Sequence, residues 1–288
     1  MRTLDICFAW YSIERFDLGW MMIKVGLVGC GTIGSAIAKE IDKEIPELKL
    51  VAVCDRNQVK TRKLVESLNQ KPDLTTVDEL IEASDLVIEA ASAKIVAELV
   101  EKTINRRKNI MVMSVGGLVD RVDLFEKAKA KGRRVYFPSG AIAGLDAIKG
   151  AKESGIDLVT LTTYKPPSGL QGAPYLAQKG IELSEIKEKT ILFEGSCREA
   201  VKAFPKNINV AASLAFAGVG LEKTRVRMIV DPGIKRNVHH IVVEGDFGRL
   251  ETRTENLPSP LNPKTSYLAV LSAIATLKGI VNPLKVGT

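Results

Sequence analysis

Residues 23–34 of this 288-residue chain read Ile23-Lys24-Val25-Gly26-Leu27-Val28-Gly29-Cys30-Gly31-Thr32-Ile33-Gly34. The mostly apolar first half predicts a buried β-strand, and an amphipathic helix is predicted to begin near Thr32. Between them lies a G-x-G-x-x-G pattern, which is informative only where a strand ends and a helix begins. Gly29 permits a tight turn, Gly31 lets a pyrophosphate approach the backbone, and Gly34 allows close packing of helix on strand. The segment predicts a dinucleotide-binding site, with a structural turn or another nucleotide site as the alternative.

An acidic residue follows the second predicted strand at the spacing of a ribose ligand. Asp55 lies 21 residues after Gly34, close to the separation of about 20 that is typical of dinucleotide-binding folds. A carboxylate here favours the 2′-hydroxyl of NAD, whereas the adjacent Arg56 can accept the 2′-phosphate of NADP. The N–H groups of Thr32 and Ile33 are expected to face the pyrophosphate at the start of the helix. We therefore predict that the cofactor is NAD or NADP.

Short apolar runs alternate with amphipathic stretches from residue 23 to residue 140. Strands this apolar are buried on both faces, so they predict a parallel sheet flanked by helices. We predict a Rossmann-type, doubly wound α/β domain over residues 23–140. Ala91 and Ser92 follow the predicted strand that begins at Leu86, and at this edge of the sheet they are expected to lie near the nicotinamide. Alternatively, Ser92 is the N-cap of a helix predicted to begin at Ala93.

After residue 140 the pattern changes to strands that alternate polar and apolar residues. Such strands are typical of an antiparallel sheet with one covered face, and they include Leu158–Thr163 and Val238–Glu244. A stretch rich in Pro and Gly, Lys165–Gly180, predicts a loop that either covers a cleft or lies on the surface. We predict a second, α+β domain over residues 141–261, built on an antiparallel or mixed sheet and carrying the catalytic residue and the dimer contacts.

The two ends of the chain carry separate predictions. Residues 262–288 are predicted to return to the first domain as a helix, with Asn262 as its N-cap and Pro263 in its first turn. Residues 1–22 contain both tryptophans but lack the pattern of a signal peptide. We interpret residues 1–22 as an extension produced by a misassigned start codon, with an extra surface helix as the alternative.

Composition and charge limit the classes of protein to which the chain can belong. Hydrophobic residues make up 45% and charged residues 26%, which excludes a largely disordered, collagen-like or disulfide-framework protein. The net charge of +7 suits anionic small molecules, and because Lys and Arg are spread along the chain we expect no nucleic-acid partner. No apolar run approaches the roughly 18 residues of a membrane span. Four cysteines without a CxxC pair indicate a cytoplasmic protein with no metal site.

The chain has two histidines, His239 and His240, and they are adjacent. Neighbouring side chains of a strand point to opposite faces, so one of the two can enter a given cleft. An imidazole suits proton transfer near neutral pH, which makes this pair the candidate general base. The alternative is a half-exposed pair on a sheet with no chemical role.

From Lys24 onward the chain resembles the L-aspartate dehydrogenase family. The glycine loop is generic, but several further segments keep the order and approximate spacing of that family. These segments are Glu89-Ala90-Ala91-Ser92, Pro138–Ala147, Phe193-Glu194-Gly195-Ser196, Phe204–Ala212, Asn237-Val238-His239 and Asn262–Tyr267.

The resemblance implies roles for the matching positions. It makes His239 the catalytic histidine, and Ala141 and Asn209 the contacts that hold the nicotinamide end of the cofactor. His240 departs from the pattern, because relatives carry an acidic residue there. The implied activity is oxidation of L-aspartate by NAD(P)+ to iminoaspartate, which hydrolyses to oxaloacetate and ammonia and feeds NAD biosynthesis. A homodimer is expected.

A dicarboxylate substrate requires cations and hydroxyls near the cofactor. Lys264, Thr265 and Ser266, at the predicted start of the last helix, are the candidates, and capping of that helix is their alternative role. Two other activities stay open: a related reductase, such as dihydrodipicolinate reductase or homoserine dehydrogenase, and a dinucleotide sensor without catalysis.

Overall fold

The computed structural model describes residues 22–205, 207–260 and 262–288, with the backbone alone at residues 263 and 264. The extension predicted over residues 1–22 lies outside the described residues, apart from Met22. Within these ranges, no helix is long and apolar enough to cross a lipid bilayer.

The first sheet contains six parallel strands. They are β1 (Ile23–Val28), β2 (Leu48–Cys54), β3 (Asp73–Leu74), β4 (Leu86–Glu89), β5 (Asn109–Val112) and β6 (Val135–Tyr136). Their order is β3-β2-β1-β4-β5-β6, in which the direction of winding reverses between β1 and β4. This order confirms the predicted doubly wound α/β domain.

Five helices connect the strands of this sheet. They are α1 (Thr32–Glu44), α2 (Gln58–Glu66), α3 (Val77–Ala83), α4 (Val96–Asn105) and α5 (Asp123–Ala130). Helix α4 begins three residues later than predicted, because a turn precedes it in which the Ile95 N–H donates to the Ser92 carbonyl at 3.2 Å. The N-cap of α4 is Ile95, so the alternative role of Ser92 as a helix cap was wrong.

A second sheet of five strands follows. Its strands are β7 (Leu158–Lys165), β8 (Thr190–Ser196), β9 (Thr224–Val230), β10 (Asn237–Gly245) and β11 (Gly248–Asn256), and its helices are α6 (Leu145–Ala151), α7 (Pro174–Lys179), α8 (Cys197–Ala203) and α9 (Asn209–Ala217). The strand order is β11-β10-β7-β9-β8. Strands β7 and β9 are parallel and the other pairs are antiparallel. The predicted second domain on a mixed sheet is therefore confirmed.

The stretch predicted as a loop from Lys165 to Gly180 is more regular than expected. Strand β7 continues two residues beyond its predicted end and includes Lys165. Helix α7 then begins at Pro174 and ends before Gly180, whose φ of 62° is left-handed. Proline at the first helical position and glycine after the last one are ordinary helix boundaries, so these residues delimit a short helix here.

The chain ends in a strand followed by a helix. After β12 (Pro258–Ser259), residues Asn262–Ser266 form β13 and Tyr267–Val281 form α10. The predicted helix start at Asn262 was wrong, because residues 262–266 pair with β12 and the Tyr267 N–H donates to the Leu257 carbonyl. Helix α10 packs on α1, where Lys278 and Glu40 form an ion pair at 2.6 Å.

One hydrophobic core extends across both sheets. A single buried cluster includes Val112 at the end of β5, Leu214 on α9 and Ile241 on β10. Three phenylalanine rings extend this contact with centroids 5.0–5.7 Å apart: Phe125 and Phe137 from the first domain and Phe216 from the second. Because burial of this surface stabilises the contact, the core also sets the relative position of the two domains.

Candidate active site

Two glycines of the loop after β1 are required by the backbone. Gly29 has a φ of 103°, and a Cβ there would lie 2.5 Å from the carbonyl of Ala90. A Cβ at Gly34 would lie 1.9 Å from the carbonyl oxygen of Gly29. The loop therefore turns tightly and lies directly against both α1 and the segment after β4.

The third glycine has a different environment. No atom of the described residues lies within 4 Å of the position that a Cβ of Gly31 would take, and the backbone there is extended, with a φ of −76°. Gly31 is the N-cap of α1, no side chain caps this helix and no acidic residue lies in its first turn. The N–H groups of Thr32 and Ile33 are thus at an uncapped helix start beside open space, which fits a pyrophosphate.

Asp55 links the glycine loop to the turn after β2. One carboxylate oxygen accepts the Cys30 N–H at 2.7 Å and the other accepts the Asn57 N–H at 2.8 Å. Beside it is a cavity of about 390 Å³ whose polar lining includes Gln58, Arg62, Thr75 and Thr76. This cavity suits the adenosine half of a dinucleotide.

The basic residue of this cavity differs from the predicted one. Arg56, predicted to accept a 2′-phosphate, is exposed, whereas the cation that lines the cavity is Arg62 on α2. Arg62 lies one helical turn after Gln58 and therefore on the same face of α2. That spacing was the sequence signal that could have found it.

A buried carboxylate joins the ends of β4 and β5. Glu89 accepts the Ala91 N–H at 2.8 Å, the Ser114 N–H at 2.8 Å and the Ser114 hydroxyl at 2.9 Å. Burial raises the pKa of Glu89, and these hydrogen bonds oppose that shift. Ala91 and Ser92 are exposed at this edge, next to the glycine loop. They are not among the described residues that line the cavity of His239.

The two adjacent histidines have opposite environments. His239 is 4% exposed, and its Nδ1 lies 3.0 Å from the Thr163 hydroxyl on β7. His240 points to the other face of the sheet, where its Nε2 lies 2.6 Å from a carboxylate oxygen of Glu251. Burial lowers the pKa of His239 to about 3, and the positive charge of Lys165 adds to this shift. His239 is therefore neutral at physiological pH.

His239 faces a cavity of about 220 Å³ between the domains. The cavity lies at the carboxyl ends of the parallel strands, where open α/β sheets bind ligands. It brings together six of the predicted site residues: Ile33, Ala141, Asn209, His239, Thr265 and Ser266.

The two predicted nicotinamide contacts are held by hydrogen bonds of their own. Asn209 accepts the Gly116 N–H through Oδ1 at 3.0 Å, which orients its amide group. The Ala141 carbonyl accepts from the Thr254 hydroxyl at 2.8 Å and from Asn256 Nδ2 at 3.1 Å. The donors that these two residues can offer a carboxamide are the side-chain NH2 of Asn209 and the backbone N–H of Ala141.

Comparison with known proteins assigns the chain to a family. Residues 146–280 match the family described as aspartate dehydrogenase, C-terminal, and residues 29–138 match the NAD-binding domain of homoserine dehydrogenase. L-Aspartate dehydrogenase of Methanosarcina mazei is 52% identical over 271 residues, which cover 93% of this chain and 100% of that protein. L-Aspartate dehydrogenase of Methanocaldococcus jannaschii is 42% identical over 272 residues, with the same coverage. The chain belongs to the L-aspartate dehydrogenase family.

Solved structures agree with this family assignment. The crystal structure of aspartate dehydrogenase from Thermotoga maritima has a TM-score of 0.69 at 27% identity and covers 92% of this chain and 99% of that chain. A homoserine dehydrogenase from Thiobacillus denitrificans, at 16% identity and a TM-score of 0.59, shares the fold alone. The predicted resemblance is confirmed, and NAD or NADP is the cofactor of this aspartate dehydrogenase family member.

Two of the three predicted substrate ligands line the cavity. Thr265 and Ser266 lie on its wall, whereas the side chain of Lys264 lies outside the described residues. Ser266 is the N-cap of α10 by position, but its side chain makes no capping hydrogen bond. The Ser266 hydroxyl therefore does not cap the helix, which was the alternative role predicted for this residue.

Several residues that line this cavity were not predicted as site residues, and among the described ones Lys165 is the one with a charged side chain. Lys165, at the end of β7, lines the cavity and is 8% exposed. Burial lowers the pKa of Lys165 to about 8. The alternation of β7 was the available signal, since Val159, Leu161, Thr163 and Lys165 share one face of the strand.

Proposed function

We propose that this protein catalyses the NAD(P)-dependent oxidation of L-aspartate to iminoaspartate, which water hydrolyses to oxaloacetate and ammonia. The observation that carries the proposal is His239, a buried and neutral imidazole that faces the same cavity as Ala141 and Asn209. When bound, NAD(P)+ supplies the acceptor for the hydride that leaves the substrate Cα.

His239 acts as the general base. Oxidation of an amine to an imine releases a proton from nitrogen, and a neutral imidazole can accept it. In the tautomer that this role requires, Nδ1–H donates to the Thr163 hydroxyl and Nε2 takes up the proton. Once that proton has been released to solvent, the same nitrogen is neutral again and can remove a proton from the water that attacks the imine carbon. Thr163 contributes by fixing the orientation of the ring.

The substrate is positioned from the second domain and from β13. The hydroxyls of Thr265 and Ser266 are proposed ligands of a substrate carboxylate, together with the ammonium group of Lys264. The NH2 group of Asn209 and the N–H of Ala141 hold the nicotinamide end. Gly29, Gly31 and Gly34, with Thr32 and Ile33, hold the pyrophosphate. Asp55 binds the ribose, and the exposed Arg56 beside it in sequence is the proposed contact for a 2′-phosphate. Ala91 and Ser92, at the edge next to the glycine loop, contact the cofactor towards its nicotinamide end.

We assign different roles to the two domains. Residues 23–140 bind the nucleotide, with residues 262–288 packed on them, and residues 141–261 provide the base and the dimer contacts. Ile191 on β8 is 55% exposed on the outer face of the second sheet, and Leu158 on β7 is also exposed there. The homodimer is proposed on the outer face of this mixed sheet, and light scattering in solution tests it.

The remaining proposals concern the cell. Iminoaspartate released by this enzyme would supply NAD biosynthesis. The cytoplasm is the proposed compartment, and it is supported by the three described cysteines, which are all free thiols.

The activity is tested by following NAD(P)H formation with L-aspartate, L-homoserine and buffer alone, and NAD(P)H oxidation with oxaloacetate plus ammonia and with dihydrodipicolinate. We expect turnover in both directions of the aspartate reaction and none with homoserine. Preferred turnover of homoserine or of dihydrodipicolinate would replace the proposal with the related reductase. Cofactor binding without turnover of any substrate would favour the sensor.

A further inference from the structure

One face of the second sheet is apolar in the core and becomes polar where it reaches the cavity of His239. The register of β7 and β10 pairs Val159 with Val243, Leu161 with Ile241 and Thr163 with His239. The first two pairs are apolar and belong to the core. Two residues beyond Thr163, Lys165 follows on the same face. The strand therefore leads from the core to a polar end in which a lysine lies next to the candidate base.

The position of Lys165 is fixed by its surroundings. Its carbonyl accepts the Asp231 N–H at 2.9 Å, which anchors the backbone to the end of β9. Gly169 lies over the aliphatic stem, so that a Cβ on Gly169 would be 3.6 Å from the Cβ of Lys165 and 3.7 Å from its Cδ. The lysine is thus covered on the side of the turn at Pro167–Gly169, and it lines the cavity of His239.

Among the described residues, no anion neutralises this lysine. A buried lysine is normally paired, because desolvation of an ammonium group costs several kcal/mol. In the described part of the chain, Lys165 makes no ion pair and no side-chain hydrogen bond, and none of the described residues that line the cavity is acidic. The polar groups around it are neutral amides, hydroxyls and the His239 imidazole. A buried cation in such a cavity requires an anionic ligand.

We propose that Lys165 is a substrate-binding residue whose ammonium group pairs with a carboxylate of the dicarboxylic substrate in the cavity of His239. This role rests on the proposed function and adds a ligand on β7 to those on β13. It also accounts for the cost of burying the charge, since the substrate supplies the missing partner. Pairing would weaken the repulsion between Lys165 and a protonated His239, so the base becomes stronger when the substrate is bound.

The test compares Lys165→Met with Lys165→Arg and with the exposed control Lys223→Met. The probe is succinate, a dicarboxylate that has no amine to oxidise, titrated by calorimetry into each protein with NAD(P)H present. Loss of a buried charge partner predicts a dissociation constant about 30-fold higher or more in Lys165→Met. We expect Lys165→Arg to retain most of the affinity and Lys223→Met to match the wild type.

Kinetics with L-aspartate give the second readout. We expect Lys165→Met to raise KM by a similar factor while kcat changes much less. An unchanged succinate affinity in a folded Lys165→Met protein would overturn the proposal. A fall in kcat alone would overturn it too, because it would assign Lys165 to proton transfer. If the methionine variant does not fold, Lys165→Gln takes its place in both measurements.

The two hypotheses can fail separately. If the wild type binds succinate through Lys165 but does not oxidise aspartate, the proposed activity is wrong and the anion site stands. If the wild type oxidises aspartate and Lys165→Met does so with an unchanged KM, the activity stands and the role of Lys165 is wrong.

Discussion

The two halves of this active site are built in different ways. The proposed nucleotide half consists of backbone groups that are close together in sequence, in the loop from Gly29 to Gly34 and at the start of α1. The proposed substrate half consists of the side chains of Lys165, His239 and Thr265, which line one cavity and come from three strands far apart in the chain. Local backbone geometry is encoded in a short motif, whereas a cluster of side chains exists only once the second sheet has formed.

The largest predicted effect separates the two histidines of the substrate half. His239→Ala should lower kcat for L-aspartate by about 10²- to 10⁴-fold, the usual contribution of a general base. His240→Ala should retain most of the activity, because this side chain points away from the cavity and pairs with Glu251. Steady-state rates of both variants test this prediction. A loss of activity in His240→Ala alone would assign the role of general base to His240.

A second prediction concerns how much the buried charge of Lys165, in the substrate half, lowers the free energy of unfolding. Burial lowers the pKa of Lys165 to about 8, so at pH 7 the folded protein carries a charge that the unfolded chain solvates better. Lys165→Met should raise the free energy of unfolding of the ligand-free protein by about 2–3 kcal/mol. Urea unfolding measures it, and a destabilised variant would show that the ammonium group has a protein partner.

The pH dependence of stability carries a third prediction. The pKa of His239 is about 3 in the folded protein and about 6.5 in an unfolded chain. The unfolded chain therefore binds more protons between these values, so stability falls as the pH falls from 6.5 towards 3. Relative to His239→Gln, the wild type should lose up to about 1.4 kcal/mol more per pH unit in this range. Urea titrations at several pH values measure the free energy of unfolding of both proteins. Equal changes in this free energy per pH unit in the two proteins would contradict the prediction.

The smallest effect should appear in the nucleotide half. Gly31 and Gly150 both have open space where a Cβ would be, and alanine is compatible with the backbone at each. Gly31→Ala should raise KM for the cofactor about tenfold with unchanged stability, because its methyl group lies where the pyrophosphate approaches. Gly150→Ala, on the exposed face of α6, should leave KM unchanged. Equal cofactor KM values for the two variants would show that the loop does not approach the cofactor.

The same contrast explains what sequence reasoning could predict. The glycine loop, the alternation of strands and helices and the opposite orientation of the two histidines all follow from local patterns, whereas the choice of His239 over His240 came from the family resemblance. Strand β3 was missed because it has two residues and no periodicity. The start of α10 was misplaced because Pro263 fits an extended strand as well as a first helical turn. Its pairing with β12 depends on contacts that no local pattern shows.

Lys165 shows most clearly what local sequence patterns could not predict. Proline and glycine after it predicted a loop, so the strand appeared to end at Thr163. Lysine is also among the residues that are least often buried. Its burial results from the turn around Gly169 and from the packing of the second sheet against the first domain. The hydrogen bond that Asp55 accepts from the Cys30 N–H could not be predicted either, because it depends on how β1 and β2 pair.

The central claim is that a neutral, inward-facing imidazole on the second sheet faces the nucleotide-binding domain. With two histidines in the chain, it can be tested directly by an NMR pH titration of the imidazole signals in the ligand-free protein, assigned with His239→Gln. The claim predicts that the His239 ring stays neutral from pH 8 down to pH 5. Protonation of that ring with an ordinary midpoint near 6.5 would show a solvent-exposed side chain and contradict it.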